Sequence, residues 1–148
     1  MLRSVLAVIV GYLAMFALQF AVFMTVYTVM GADWSFKPAS YHASTRWMLM
    51  QFVVIFVTAV IAGLICAVIA RGGKAPLALA IVALVIGFTL GAVHVATQPA
   101  DKGEVRRRDV PNMEAMTKAR HPVWVVFLGP VIAAAGIAIG GRLKRKNA

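Results

Sequence analysis

Four long stretches without Asp, Glu, Lys or Arg constrain the fold of this chain more than any other feature. The stretches lie between Arg3 and Asp33, Arg46 and Arg71, Lys74 and Asp101, and His121 and Arg142. Each holds 20 or more residues, and a helix needs roughly 20 apolar residues to cross a hydrocarbon core of about 30 Å. Backbone polar groups inside that core need partners within their own segment, so the stretches are predicted to be helices rather than strands.

The first stretch is predicted to be a retained anchor. Val5 to Met30 lacks the polar stripe that a surface helix of a soluble protein carries. Its apolar run is longer than the roughly 7–15 residues of a signal-peptide core, and the junction at 29–32 is a poor cleavage site. The single cysteine, Cys66, lies in the second stretch and excludes an intrachain disulfide.

The sequence therefore predicts an all-α integral membrane protein, a four-transmembrane-helix bundle forming one membrane domain over 1–148. Only 14% of its 148 residues are charged, against about a quarter in soluble domains. The predicted spans are 4–30, 47–70, 76–97 and 122–141, and the extramembrane loops are 31–46 and 98–121. Gly31 ends the first span, Ser44 or Thr45 caps the second, and Pro76 and Pro122 open the other two.

The third loop is predicted to contain one short interfacial helix at 112–120. Asn112 is its candidate cap, and Glu114 and Lys118 stand four residues apart in the order that stabilises a helix. Met113 and Met116 are expected to face the membrane.

Charge distribution gives a predicted orientation. The side with the termini carries seven basic residues and no acid, whereas the loop side carries eight basic residues and all five acids. Because the seven bases crowd short segments, we predict cytoplasmic termini in the cell (inner) membrane. We interpret the C-terminal cluster as a contact with anionic lipid headgroups rather than with nucleic acid; its members are Arg142, Lys144, Arg145 and Lys146.

Small residues indicate close helix packing. Two Gly-x-x-x-Gly pairs and one further glycine mark these faces: Gly87 and Gly91, Gly136 and Gly140, and Gly63. Glycines four apart let membrane helices approach closely. We favour packing inside the bundle, with a dimer interface as the alternative.

A few polar residues interrupt the apolar spans. His94 shares a helix face with Gly87 and Gly91 and should point at another helix. We favour a hydrogen-bonded packing histidine, with ligand binding or proton handling as the alternative. Gln19, Thr58 and Thr89 lie near span centres, where they would tie helices together or, alternatively, line a polar path.

The three histidines give a weaker hypothesis of a metal site on the loop side. His42, His94 and His121 all belong to that side, but their spacing matches no compact ligand motif. No cofactor is predicted, and a haem held by two histidines is disfavoured because only one predicted span contains histidine.

No residue pattern points to a particular reaction. We favour a non-catalytic accessory or assembly subunit that contacts other membrane subunits, or itself, through the glycine faces. The alternative is a small oligomeric transporter or channel that uses His94 and the mid-span polar residues. An enzyme ranks third, because the sequence shows no clustered acids, histidines and nucleophiles.

Overall fold

A computed structural model describes residues 2–71, 74–98, 105–106 and 111–146, without the side chains at 112, 113, 116, 145 and 146. Over these residues the chain forms five helices: α1 (Leu2–Ser35), α2 (Thr45–Ala70), α3 (Ala75–Thr97), α4 (Asn112–Thr117) and α5 (Val123–Lys146). Four of them, α1, α2, α3 and α5, are long and apolar enough to cross a membrane. The predicted multi-pass four-helix bundle is thus confirmed.

Local sequence signals explain most helix ends. The Ser44 side chain accepts a hydrogen bond from the Trp47 backbone N–H at 3.1 Å and caps α2. Gly31 adopts φ 74° and ψ 177°, which breaks the helical path of α1, and one further turn then runs to Ser35. Helix α5 extends past the predicted end at 141 to Lys146, so the helix is longer than the segment needed to cross the membrane.

The four long helices pack in the cyclic order α1, α2, α5, α3. Helix α2 lies against both α1 and α5, and α3 lies mainly against α5. Helices α1 and α5 make no contact across the described residues. On the terminal side α1 approaches α3 closely, since a Cβ built on Gly11 would lie 2.8 Å from Leu79 Cδ2.

The tightest seam joins α2 and α5. A Cβ on Gly63 would overlap the carbonyl of Ile137, and one on Gly140 would overlap the carbonyl oxygen of Val60. A Cβ on Gly136 would lie 2.8 Å from Ala59 Cβ. Backbone therefore rests directly on backbone along this seam, as small residues permit in membrane helices.

The two long loops are joined into a cap over one end of the bundle. Arg120 donates its backbone N–H to the Tyr41 carbonyl at 2.9 Å, and its own carbonyl accepts from Ala43 at 3.0 Å. Arg106 is buried, pairs with Asp33 at 2.5 Å, and lies over the Phe36 ring at 5.8 Å. The backbone bonds of Arg120 pair main-chain groups of one loop with those of the other, and the Arg106 side chain adds an ion pair and a ring contact.

The short helix α4 packs on this cap. Ala115 is fully buried in a cluster with Tyr27, Phe36 and Tyr41, so this part of α4 contacts protein. The expected Glu114–Lys118 pair forms at 3.3 Å, but the helix ends at Thr117 rather than at 120. The expectation that Met113 and Met116 face the membrane lies outside the described side chains.

Candidate functional site

A cavity of about 440 Å³ lies between the four long helices in the half of the bundle that adjoins the loops. Its polar lining comes from four segments: Gln19 of α1, Gln51 of α2, His94 of α3, and His121 just before α5. Ligand pockets usually measure about 300–1,000 Å³ and place a few polar groups in an apolar wall, and this cavity has both properties.

The cavity reaches the outer surface of the bundle between α1 and α3. Phe16 of α1 and Leu90 of α3 both line it, and each side chain is about three-fifths exposed (61%). On a membrane-spanning helix an exposed apolar side chain faces lipid. The cavity therefore opens sideways onto an apolar outer surface of the bundle.

A second chamber of about 310 Å³ lies beneath the loop cap. Its wall is largely aromatic and includes Phe20, Phe23, Tyr27, Phe36 and Trp47. The Trp47 ring centroid lies 5.9 Å from that of Tyr27 and 6.1 Å from that of Phe23. Such edge-to-face and tilted contacts fix the wall of the chamber.

The two cavities meet at a pair of histidines. His94 and His121 line both cavities, and their ring centroids are 6.5 Å apart. Helix α3 carries His94 within its last turn, while the pairing of Arg120 with Tyr41 and Ala43 fixes the chain immediately before His121. The folding of the two loops against each other thus brings together two histidines that are 27 positions apart in the chain.

Burial influences the charge of His121, whereas the His94 side chain is exposed. Burial lowers the pKa of the His121 imidazole from its ordinary value of 6.5, and the neighbouring His94 lowers the same pKa further. The ring of His121 is therefore neutral at physiological pH. Neutral imidazole can donate a hydrogen bond from one nitrogen and accept one at the other.

Two polar atoms beside the cavity have no hydrogen-bond partner among the described residues. They are His121 Nε2 and Gln51 Oε1, and both are buried. An unpaired buried polar atom costs about 1–3 kcal/mol. Pro130, inside α5, also lacks the N–H that would bond the Val126 carbonyl, and both of these residues line the cavity.

The structure separates the three mid-span polar residues. Gln19 Nε2 donates to Thr58 Oγ1 at 3.2 Å and so ties α1 to α2 at the cavity. Thr89 is exposed on the outside of α3 and donates to the Val85 carbonyl of its own helix at 2.8 Å. Thr89 therefore does not share a path with Gln19 and Thr58.

The structure brings two of the three histidines together and leaves the third apart. His94 and His121 meet, but no group of three His, Cys, Asp or Glu side chains that could hold a metal ion occurs in the described part of the chain. Of the three histidines predicted for a metal site, His94 and His121 are therefore close to each other, and His42 is not grouped with them.

The five predicted packing glycines all meet other helices of the same chain. Gly63, Gly136 and Gly140 lie in the α2–α5 seam. A Cβ on Gly87 would lie 2.6 Å from Pro130, and one on Gly91 would lie 3.0 Å from Val126, which places both glycines against α5. At the far end of the bundle Arg142 and Lys144 are exposed, whereas the side chains of Arg145 and Lys146 lie outside the description.

Sequence reasoning missed Gln51 and Gly11. An amide seven residues into an apolar helix was a visible signal for Gln51, since polar groups inside a span need a partner. Gly11 carried only a weak signal, because an isolated glycine has no small partner four residues away to mark a face.

Comparison with known proteins gives no match to a family model, to a curated protein or to a solved structure.

Proposed function

We propose that the protein binds a small lipid-soluble molecule, taken up from the bilayer through the gap between α1 and α3, as a membrane carrier or transporter. The observation that carries this proposal is the laterally open cavity with unpaired Gln51 and His121 atoms in its wall. The cavity is large enough for a ligand and its polar atoms are available to one. This develops the transporter alternative.

The accessory-subunit hypothesis keeps less support. It relied on glycine faces for docking to other membrane subunits or to a second copy. Those faces are covered inside the bundle, because the glycines of α2 and α5 pack against each other and the glycines of α3 pack against α5. A partner inside the membrane would meet the larger apolar side chains that face outward, such as Phe16 and Phe20, and the exposed loop residues would be open to a partner outside it.

We further propose that the termini lie in the cytoplasm and that the membrane is the inner (cell) membrane. The crowding of bases at the terminal side supports this orientation. The test is labelling of Lys37→Cys and Lys74→Cys on intact cells by an impermeant thiol reagent, with unsubstituted protein as the control for buried Cys66. Labelling at position 37 alone is expected, and labelling at 74 alone would reverse the orientation.

Native mass spectrometry of protein extracted from its own membrane tests the ligand. We expect a retained small-molecule mass in the wild type. Ala83→Phe, which fills the cavity from α3, should lose this mass, whereas the matched control Ala92→Phe on the exposed side of the same helix should keep it.

The folded state of both variants is checked by size-exclusion profile and thermal unfolding. Extra polypeptides at fixed stoichiometry, with no small-molecule mass, would return the accessory-subunit hypothesis to first place.

A further inference from the structure

The charge of the cavity walls restricts what can bind. No Asp, Glu, Lys or Arg lines either cavity within the described residues. An ion that moves from water into a cavity with such walls loses several kcal/mol of hydration free energy, and no opposite charge compensates for the loss. His121 stays neutral there because burial lowers its pKa. Cavity walls without Asp, Glu, Lys or Arg therefore favour an uncharged group at the histidines.

The unpaired atoms restrict the chemistry of that group. Gln51 Oε1 can only accept a hydrogen bond, so it needs a donor such as a hydroxyl. His121 Nε2 donates or accepts according to tautomer, so it pairs with a carbonyl or with a hydroxyl. A neutral group that bears a hydroxyl meets both requirements, and a carbonyl meets that of His121.

The aromatic chamber restricts the shape. Phe20, Phe23 and Trp47 contribute flat faces and edges to a space of about 310 Å³ that adjoins both histidines. Aromatic rings pack favourably in offset and edge-to-face contacts with a planar ring. The larger cavity continues from the histidines to the lipid-facing side chains Phe16 and Leu90, which leaves a path for an apolar tail.

We propose that the ligand is a planar ring with carbonyl or hydroxyl oxygens and an apolar tail, which is the chemistry of a membrane quinone or quinol. The ring lies in the aromatic chamber, its oxygens lie at His94, His121 and Gln51, and its tail leaves between α1 and α3. This assignment rests on the proposed function and names the ligand class of the same cavity.

The test is saturable quenching of tryptophan fluorescence by a decyl-substituted benzoquinone, with the full chain in lipid nanodiscs. Trp47 lines the chamber, whereas Trp124 is 57% exposed on the outside of α5. We expect the saturable component to fall sharply in Trp47→Phe and to persist unchanged in Trp124→Phe. The part that remains in Trp47→Phe is assigned to Trp34, whose ring centroid lies 6.2 Å from that of Trp47. His121→Asn should weaken quinone binding at least about tenfold, the effect of losing one hydrogen bond to a buried group. Gln51→Leu should have this effect on binding of the corresponding quinol, whose hydroxyl can donate to Gln51 Oε1.

Thr89→Val is the matched control, because its hydroxyl bonds only its own helix outside the cavity, and its quinone affinity should equal that of the wild type. Quinone binding that ignores His121→Asn, together with quinol binding that ignores Gln51→Leu, would overturn the assignment. Hexadecanol is titrated in parallel by native mass spectrometry. Binding of hexadecanol without binding of the quinone would overturn the ring assignment and leave the proposed function standing. Binding of neither would overturn both.

Discussion

The α2–α5 seam and the α1–α3 side are built from different residues and differ in packing. In the seam, Gly63, Gly136 and Gly140 bring one backbone onto the other. On the opposite side, α1 and α3 meet near Gly11 and then border a cavity of about 440 Å³ that reaches the outer surface. Close packing is what holds membrane helices together, since lipid is as apolar as they are. The seam therefore supplies stability, and the open side leaves space for a ligand.

Substitution in the seam should give the largest effect. Gly140→Ala places a Cβ onto the Val60 carbonyl oxygen, so the helices must separate, and we expect a loss of about 3 kcal/mol in the free energy of unfolding. Gly129→Ala in the same helix is the matched control, because its Cβ would lie 3.6 Å from Ile55 Cδ1 in ordinary contact. Denaturant unfolding in mild detergent measures both. Equal losses would show that the seam is not specially tight.

Acidification should act on the open side. Well above pH 6.5 the His121 imidazole is neutral in folded and unfolded protein alike. Below that value the unfolded chain binds a proton that the folded protein, with its lowered pKa, still excludes, so stability falls as the pH falls.

The melting temperature is measured between about pH 7.5 and pH 5, across the titration range of histidine. It should fall more steeply with decreasing pH in the wild type than in His121→Asn. Parallel slopes would mean that His121 is freely hydrated.

The unpaired amide of Gln51 should cost stability when no ligand is bound. Gln51→Leu keeps a similar volume and removes a buried acceptor without a partner, so we expect a gain of about 1 kcal/mol in the purified, ligand-free protein. Chemical denaturation in detergent measures the gain. A loss of stability instead would mean that water or another group already satisfies Oε1. The α1–α3 side would then hold one fewer unpaired polar atom than the comparison with the α2–α5 seam assumes.

The sequence predicted the spans well because lipid imposes a length and excludes charge. It also drew attention to the glycines that lie against neighbouring helices, since small residues four apart let membrane helices approach closely. The sequence could have predicted the outward position of Thr89. Thr89 follows Gly87 by two residues, which corresponds to about 200° around the helix axis. Gly87 packs on α5, which leaves Thr89 on the other face.

The meeting of His94 with His121 was not within reach of the sequence. It depends on the backbone pairing of 41–43 with Arg120, and these loop residues carry no periodic pattern. The cavity was equally hidden, because its volume depends on which helices are neighbours. The cyclic order α1, α2, α5, α3 places the fourth span between the second and the third, and chain order alone does not indicate that arrangement.

The smallest expected effect concerns the hydrogen bond between Gln19, which lines the cavity, and Thr58. Thr58→Val removes the acceptor of the Gln19 amide and should cost about 0.6 kcal/mol, the average for interhelical hydrogen bonds in membranes. Thr89→Val should cost nothing, since its hydroxyl bonds only the Val85 carbonyl on the lipid side. The two variants make the same chemical change, so the difference between their unfolding free energies isolates the α1–α2 bond. A difference of zero would mean that packing, rather than this hydrogen bond, holds α1 to α2.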